Sequence, residues 1–514
     1  MQIYERFSED IKILDFDICI VGAGIAGIYT LLQLAEFKKL KILIIESGDQ
    51  SIISHEQDSF IHELDLKNYQ GASHGRAFGV GGTSAFWGGV LIPFSNIDKV
   101  PGYEQEWEFI VETCNRYSSV VLKNLGIKKK VNFFSMQDYL GKTIEENLLK
   151  KSYIPSYSLH LPFRKKNFKP LLKRKSIFHN KNITMIKNAT VTDWEIAIAK
   201  GSTIKKITAI FPDKKSISIS AKEYVIAAGA IESTRILLEM DQKYGNALFS
   251  KSQMLGQMLS DHISVTYAKA RFKAKKDLIK HLPLFKNRNL RSLRINDLRT
   301  NDEFRHFFHF IFKSKKNDEI ESLKEFLRHF QARSIKHFNF KNFFRAILGI
   351  VKISYFYLLF RRLYFDYKNE VLIQFDFSKP PDKESYIYLN KNRRDKYLRP
   401  IPTIRWDIAK DLKNIDRIKQ DILARFPREI LNLEIINEEK LKENNLYDAY
   451  HPCGTLRLGP SDRGIVGNNL RVHHFKNLCV ISTAIFPEAA SANPTFSMLC
   501  MSHELVRNLI KRFY

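Results

Sequence analysis

Residues 16–46 read FDICIVGAGIAGIYTLLQLAEFKKLKILIIE, and this stretch decides the architecture. An apolar run from Phe16 to Val21 predicts a strand. The apolar spacing from Ile28 to Phe37 predicts a helix, and Lys41 to Ile45 predicts a second strand that ends at Glu46. Strand, helix and strand within about 30 residues make a βαβ unit with a parallel pair. Gly22, Gly24 and Gly27 stand between the first strand and the helix at GxGxxG spacing. The first glycine permits a tight turn, the second lets main chain approach a pyrophosphate, and the third lets helix and strand pack closely. Ile25 and Ala26 open the helix, whose N-terminal N–H groups and dipole favour phosphate. Glu46 lies about 20 residues further on, followed by Ser47, where a carboxylate can accept ribose hydroxyls. The pattern predicts dinucleotide binding, and there is no second GxGxxG unit of the kind a nicotinamide-using flavoprotein reductase carries.

Working outward, glycine clusters again in GASHGRAFGVGGTSAFWGG (71–89), which predicts an irregular loop. Residues 183–210 alternate like strands, and EYVIAAGA (223–230) reads as a buried strand running into a helix. Residues 271–370 hold a single glycine and 16 of the 38 phenylalanines. Strands are then expected at Val371–Phe377, Ser385–Leu389 and Pro402–Trp406, with a buried strand at Asn477–Ser482 and a closing helix.

The chain has 514 residues, more than one compact core usually holds, which predicts two intertwined domains. A hydrophobic content of 44% excludes disorder as the dominant state. There is no uncharged apolar run of 18 residues and no signal-peptide pattern at the start, so a cytoplasmic protein is expected. Five scattered cysteines without a CxxC fit a reduced compartment and predict no metal site. The formal net charge is +27, and residues 271–370 alone carry 24 Lys+Arg against 10 Asp+Glu. That excess either attracts an anionic surface or decorates solvated faces.

Four further segments, GVGGTSAFWGG (79–89), AAGAIESTRILL (227–238), HPCGTLRLG (451–459) and VISTAIFPEAASANPTFSM (480–498), accompany the glycine fingerprint. With MLGQMLSDH (254–262) and the RWD at 405–407, they make the chain resemble the glucose–methanol–choline (GMC) oxidoreductases, FAD-dependent enzymes that oxidise alcohols and sugars. The match covers both ends and fails only near 275–370. The resemblance implies an α/β protein: a Rossmann-like FAD-binding domain with a second, substrate domain of antiparallel sheet and helices. The FAD domain would comprise 1–100, 181–262 and 441–514, with cap elements at 101–180 and the substrate domain at 263–440.

The same resemblance implies that His451 is the active-site histidine beside the flavin and that Asn493 is its partner. Imidazole titrates closest to neutrality, which suits His451 to the role of general base. Asn493 cannot take a proton but can hold a hydroxyl. His262, His473, His474 and His503 read as structural or exposed, and Arg457 as an anchor for its loop or a cofactor oxygen. Gly81, Gly82, Thr83 and Trp87 would lie along the isoalloxazine, and Val191 would meet adenine through its main chain. Ala228 and Gly229 would sit near the diphosphate, and Thr483, Ala484, Pro494 and Thr495 near the ribityl chain and ring. Where some relatives carry a histidine joined to the flavin, this chain has Phe86, so non-covalent FAD is expected. Ser482 stands where many relatives have Asp.

Residues 343–365, FFRAILGIVKISYFYLLFRRLYF, predict a helix that is apolar with basic edges. It can rest on an anionic membrane surface as a peripheral element, close the substrate pocket as a lid, or contact a second subunit. Nucleic acid is not expected, because charge with aromatics is not a binding module. The leading reading is a flavoenzyme acting on a small alcohol or sugar. A non-redox lyase on the same scaffold and a membrane-associated flavin-binding protein are the alternatives.

Overall fold

The computed structural model describes residues 1–8, 13–49, 52–53, 62–66, 69–100, 102–127, 131–134, 152–198, 201–286, 289–297, 305–313, 322–323, 340–365, 370–425, 431–436 and 446–514. Most of residues 298–339 falls outside them.

The first sheet is built on the βαβ unit. Its strand Ile13–Val21 runs parallel to Ile42–Ile45 on one side and to Ser216–Ile226 on the other. Beyond Ile42–Ile45 lie Ile183–Ile186 and then Gln2–Tyr4, both parallel. Leu478–Val480 pairs with the far end of Ser216–Ile226, whose near end turns antiparallel to Thr203–Ile210 and then Thr190–Ala197. Ile42–Ile45 is apolar throughout and fully buried, as a parallel strand covered on both faces requires. The strand from the C-terminal region therefore joins a sheet started at the N-terminus.

The helix Ile25–Leu34 begins three residues before the periodicity suggested, because Gly24 is already its N-cap. Gly22 has φ +106°, and a Cβ there would meet Ala227 O at 2.6 Å. A Cβ on Gly27 would stand 1.9 Å from Gly22 O. Glycine is thus imposed twice, once by conformation and once by the close approach of helix to turn. The stretch 71–89 is less irregular than expected. It contains a helical turn at Gly71–His74 and a 3-10 turn at Gly82–Ala85. Gly81 N–H donates to Ala23 O at 2.8 Å, so this loop is laid directly on the glycine turn.

Among the described residues the second sheet has nine strands, all antiparallel, in the order Leu431–Ile435, His262–Phe272, Glu370–Ser378, His306–Lys313, Asn289–Asp297, Tyr153–His160 and Val90–Leu91, with Leu284–Lys286 and Tyr447–Asp448 at its margins. Register divides its residues between two faces. One face carries Ile263, Val265, Phe375, Phe377, Phe308 and Ile295, all core residues. The other carries His262, Ser264, Gln374, Asp376, Phe307, His309, Arg294, Ser292, Ser156 and Ser158. A polar face that is largely buried needs partners, and those partners form the site described below.

The five cysteines are all buried and free. The helix Phe340–Phe360 forms where the apolar, basic-edged stretch predicted one.

Gly27→Val is expected to lower the thermal unfolding midpoint markedly. Forcing side-chain atoms into a packed contact costs about 1–3 kcal/mol or more, and here the obstacle is main chain. A circular-dichroism melt checks it, and an unchanged midpoint would contradict the close packing.

Candidate active site

Three segments meet at the polar sheet face: the edge of His262–Phe272, the loop at His451, and the loop that ends at Asn493, N-cap of the closing helix Pro494–Ile510. Asp261 ties the first two together. Its carboxyl accepts the main-chain N–H of His262 at 2.7 Å and of His451 at 2.8 and 3.0 Å, and the Tyr69 hydroxyl at 2.8 Å. Burial and the neighbouring Asp448 push Asp261 well above the usual carboxylate range, and burial lifts Asp448 to about 6. The main chain is held in costly conformations on both sides of the site. Tyr450, just before His451, has φ 65°, and Ala490 has φ 50°.

The side chains define a directed chain of hydrogen bonds. His262 Nε2 lies 2.6 Å from Ala490 O, and a carbonyl can only accept, so Nε2 carries the hydrogen. Burial lowers the pKa of His262 to about 4, which leaves the ring neutral and Nδ1 a bare acceptor. His451 Nδ1, 3.1 Å away, must then donate to it. Burial first, and the adjacent His262 and Arg294 after it, hold His451 well below the ordinary imidazole pKa. His451 is therefore neutral with a bare Nε2. Asn493 Nδ2–H points at that nitrogen from 3.2 Å, while Arg294 Nη1–H donates to Asn493 Oδ1 at 3.0 Å and so fixes which way the amide faces. The result is a base and a donor side by side. Asp261, His262 and His451 also present three ligand-type atoms within 4.8 Å of one another, but each of these atoms is already engaged in the bonds above.

The nucleotide half lies at the carboxyl ends of the parallel strands. The helices Ile25–Leu34 and Gly229–Lys243 both start without a side-chain cap, at Gly24 and Ala228. A Cβ built on Gly24 or Gly229 would meet nothing within 4 Å. Two uncapped helix N-termini with open space in front of them suit a diphosphate. Glu46 accepts Ala23 N–H with Oε2 at 2.7 Å, and Ser47 Oγ–H, Gly48 N–H and Gly79 N–H with Oε1, which leaves Oε2 room for one more donor. Ala189 N–H donates to Glu46 O, bringing Val191 to the same end. Among the described residues, the buried hydroxyls of Thr190 and Ser482 have no hydrogen-bond partner. Thr483 Oγ1–H donates to Pro452 O at 2.7 Å, and Leu456 N–H to Ala484 O, which join this half to the His451 loop. The Trp87 indole N–H donates to Lys166 O, and Phe86 is exposed. Pro494 and Thr495 start the closing helix. Open space before the helix N-termini and orphaned hydroxyls at both ends fit an FAD.

Sequence reasoning missed three residues. His262 read as structural, yet it sets the tautomer of His451. Its only signal was the DH that closes MLGQMLSDH. Asp261 carried the same signal, and Arg294 carried none, since it reaches the site only through strand register. His473 and His503 are structural as expected, bonded to Gly459 O and Tyr29. Arg457 anchors its loop through Tyr103 and Gly454 O.

Residues 381–502 match the family model described as GMC oxidoreductase. A stretch of 111 residues is 30% identical to the oxygen-dependent choline dehydrogenase of Cronobacter sakazakii, although it spans only 20% of this chain and 20% of that protein. Over 96% of this chain and 98% of the other, the fold is similar to that of pyridoxine 4-oxidase from Mesorbium loti, with a TM-score of 0.59 and 14% identity. Formate oxidase of Aspergillus oryzae RIB40, in a variant studied for FAD modification, is similar over 97% of this chain and 98% of its own, with a TM-score of 0.55 and 16% identity. The GMC oxidoreductase model thus matches the C-terminal region of the chain, and the fold over the whole chain is similar to that of these two oxidases.

Proposed function

We propose that the protein oxidises the CH–OH group of a small polar alcohol or sugar, with non-covalent FAD, His451 as general base and Asn493 as the group that orients the hydroxyl. The observation that carries this reading is the pair His451 Nε2 and Asn493 Nδ2, 3.2 Å apart, one able only to accept and the other only to donate. A substrate hydroxyl takes the place of that contact, donating its hydrogen to Nε2 and accepting from the amide. As the C–H bond breaks, the proton moves to Nε2 and the oxygen becomes a carbonyl. Bound FAD supplies the acceptor for the hydride. Ser482 Oγ and the main chain around Gly24 and Gly229 would hold the cofactor. Phe86 offers no nucleophile for a covalent link.

Purified protein should be yellow, and acid precipitation should release all the flavin into the supernatant. A colourless protein that takes up no FAD would overturn the assignment, and flavin retained in the pellet would overturn the non-covalent part. His451→Ala should keep its flavin and lose about 10²–10⁴-fold in turnover. The acid limb of kcat/KM should follow from the lowered His451 pKa. The neutral imidazole is the active form, so activity should stay level as pH falls through 6.5 and decline only below it. A limb centred at or above the ordinary imidazole value would contradict the buried-base geometry.

The helix Phe340–Phe360 supports a second element of this reading, attachment to an anionic bilayer. Val351, Tyr355 and Leu358 are 58%, 64% and 68% exposed, beside exposed Phe344, Leu348 and Leu359, while Ala346 and Phe356 are buried. Exposed apolar faces of this extent mark interaction sites, and the basic surplus of residues 271–370 selects an anionic surface. No helix among the described residues is long and apolar enough to cross a membrane. The full chain should float with vesicles containing about a third phosphatidylglycerol, and this should weaken with salt. Leu358→Glu with Tyr355→Glu should abolish flotation while leaving turnover intact. Absence of flotation by the wild type would reject the attachment.

A further inference from the structure

Of the buried arginines, Arg235 meets Glu232, Glu239 and Asp395 and Arg399 meets Glu239, while Arg457 bonds the Tyr103 hydroxyl and the Gly454 carbonyl. Arg294 differs. It is 6% exposed, and among the described residues its guanidinium makes a single hydrogen bond, from Nη1–H to Asn493 Oδ1, with no carboxylate oxygen within 4 Å. The acids that act on it are Asp376 and Asp98. Both are engaged elsewhere, Asp376 with Ser264, Gln374 and His309, and Asp98 with Ser491 and Ser95. Burial lowers the pKa of Arg294 only to about 10, so it stays charged at neutrality. One face of the guanidinium is stacked on Phe307 at 3.6 Å, which leaves the N–H edges as its means of recognition. Strand register puts Ser156 opposite Arg294 and Ser158 opposite Ser292 on the same sheet face, with His160 bonded to Ser292 Oγ. Lys166, whose pKa burial also lowers, adds a second cation near His160.

We infer that Arg294 anchors an oxyanion of the substrate, so that the molecule oxidised is a hydroxy acid, a sugar acid or a sugar phosphate rather than a neutral alcohol. The inference rests on the oxidoreductase reading of the His451–Asn493 pair and specifies its substrate class. A buried cation with no carboxylate in contact among the described residues favours an anionic guest, and a guanidinium recognises carboxylate or phosphate through paired N–H donors. Because Arg294 also holds the Asn493 amide, the anion sits a short spacer away from the hydroxyl that meets His451. The polar sheet face beside it offers hydroxyls for the remaining oxygens of such a substrate.

The test uses the flavin-loaded wild type with Arg294→Lys and Arg294→Gln. Acetate and inorganic phosphate are titrated separately by calorimetry and by flavin difference spectra, which read binding without turnover and separate a carboxylate site from a phosphate site. Turnover is compared for D-glucuronate and D-glucose 6-phosphate against D-glucose. Saturable binding of one anion by the wild type is expected. Arg294→Gln should weaken it at least tenfold, as loss of a charge-assisted hydrogen bond does. Arg294→Lys should fall between, and the KM preference for the anionic over the neutral sugar should shrink alongside. If the wild type binds neither anion, or Arg294→Gln binds it equally well, the inference fails. Equal losses of kcat on charged and neutral substrates with unchanged anion affinity would make Arg294 only a positioning residue for Asn493, and would also overturn it. Should the protein bind no flavin, the oxidoreductase reading fails on its own, while calorimetry still decides the anion site. If Arg294→Gln does not fold, wild-type binding and Arg294→Lys decide it.

Discussion

The site depends on one hydrogen bond, from His262 Nε2–H to the carbonyl of Ala490. A carbonyl has no hydrogen to give, so this contact orders every proton that follows. It leaves His262 Nδ1 bare, makes His451 Nδ1 a donor and leaves His451 Nε2 a base. The strained conformation of Ala490 aims the carbonyl, and Asp261 fixes both histidines through their main-chain N–H groups. At the other end, Arg294 settles the orientation of the Asn493 amide. On the proposed reading, a proton acceptor and a hydroxyl holder would thereby be prepared before a substrate arrives, which is how positioned groups lower a barrier.

This preparation comes from the way two sheets divide the work. The parallel sheet, built over an apolar core, brings two uncapped helix N-termini to the carboxyl ends of its strands. The antiparallel sheet turns one face to its own core and gives the other to polar side chains. Each of those side chains would cost stability if left without a partner, and most are satisfied by one another. Among the described residues, Arg294 is the member of this face whose charge has no carboxylate in contact, and the proposed substrate class rests on it.

Legibility in the sequence followed the range of the physics. The glycine turn could be read because its constraints are local: Gly22 needs a left-handed φ, and Gly27 needs to be small. The helix at 340–360 and the strand at 370–378 could be read from periodicity. His451 and Asn493, 42 residues apart, are singled out by family motifs and not by spacing, and the fold brings their side chains into contact. His262 looked bland because a lone buried histidine usually is, and nothing local shows that its ring faces another imidazole. Arg294 could not be found at all. Its place at the site follows from pairing with Ser156, 138 residues earlier in a different strand, and no local pattern encodes that register.

Neutron diffraction from a deuterated crystal of the protein near neutral pH addresses the central claim most directly, because it locates the imidazole hydrogens. The account predicts deuterium on His262 Nε2 and on His451 Nδ1, with none on His262 Nδ1 or His451 Nε2. Deuterium on His451 Nε2 would show that the nitrogen facing Asn493 is not a base, and would contradict the account.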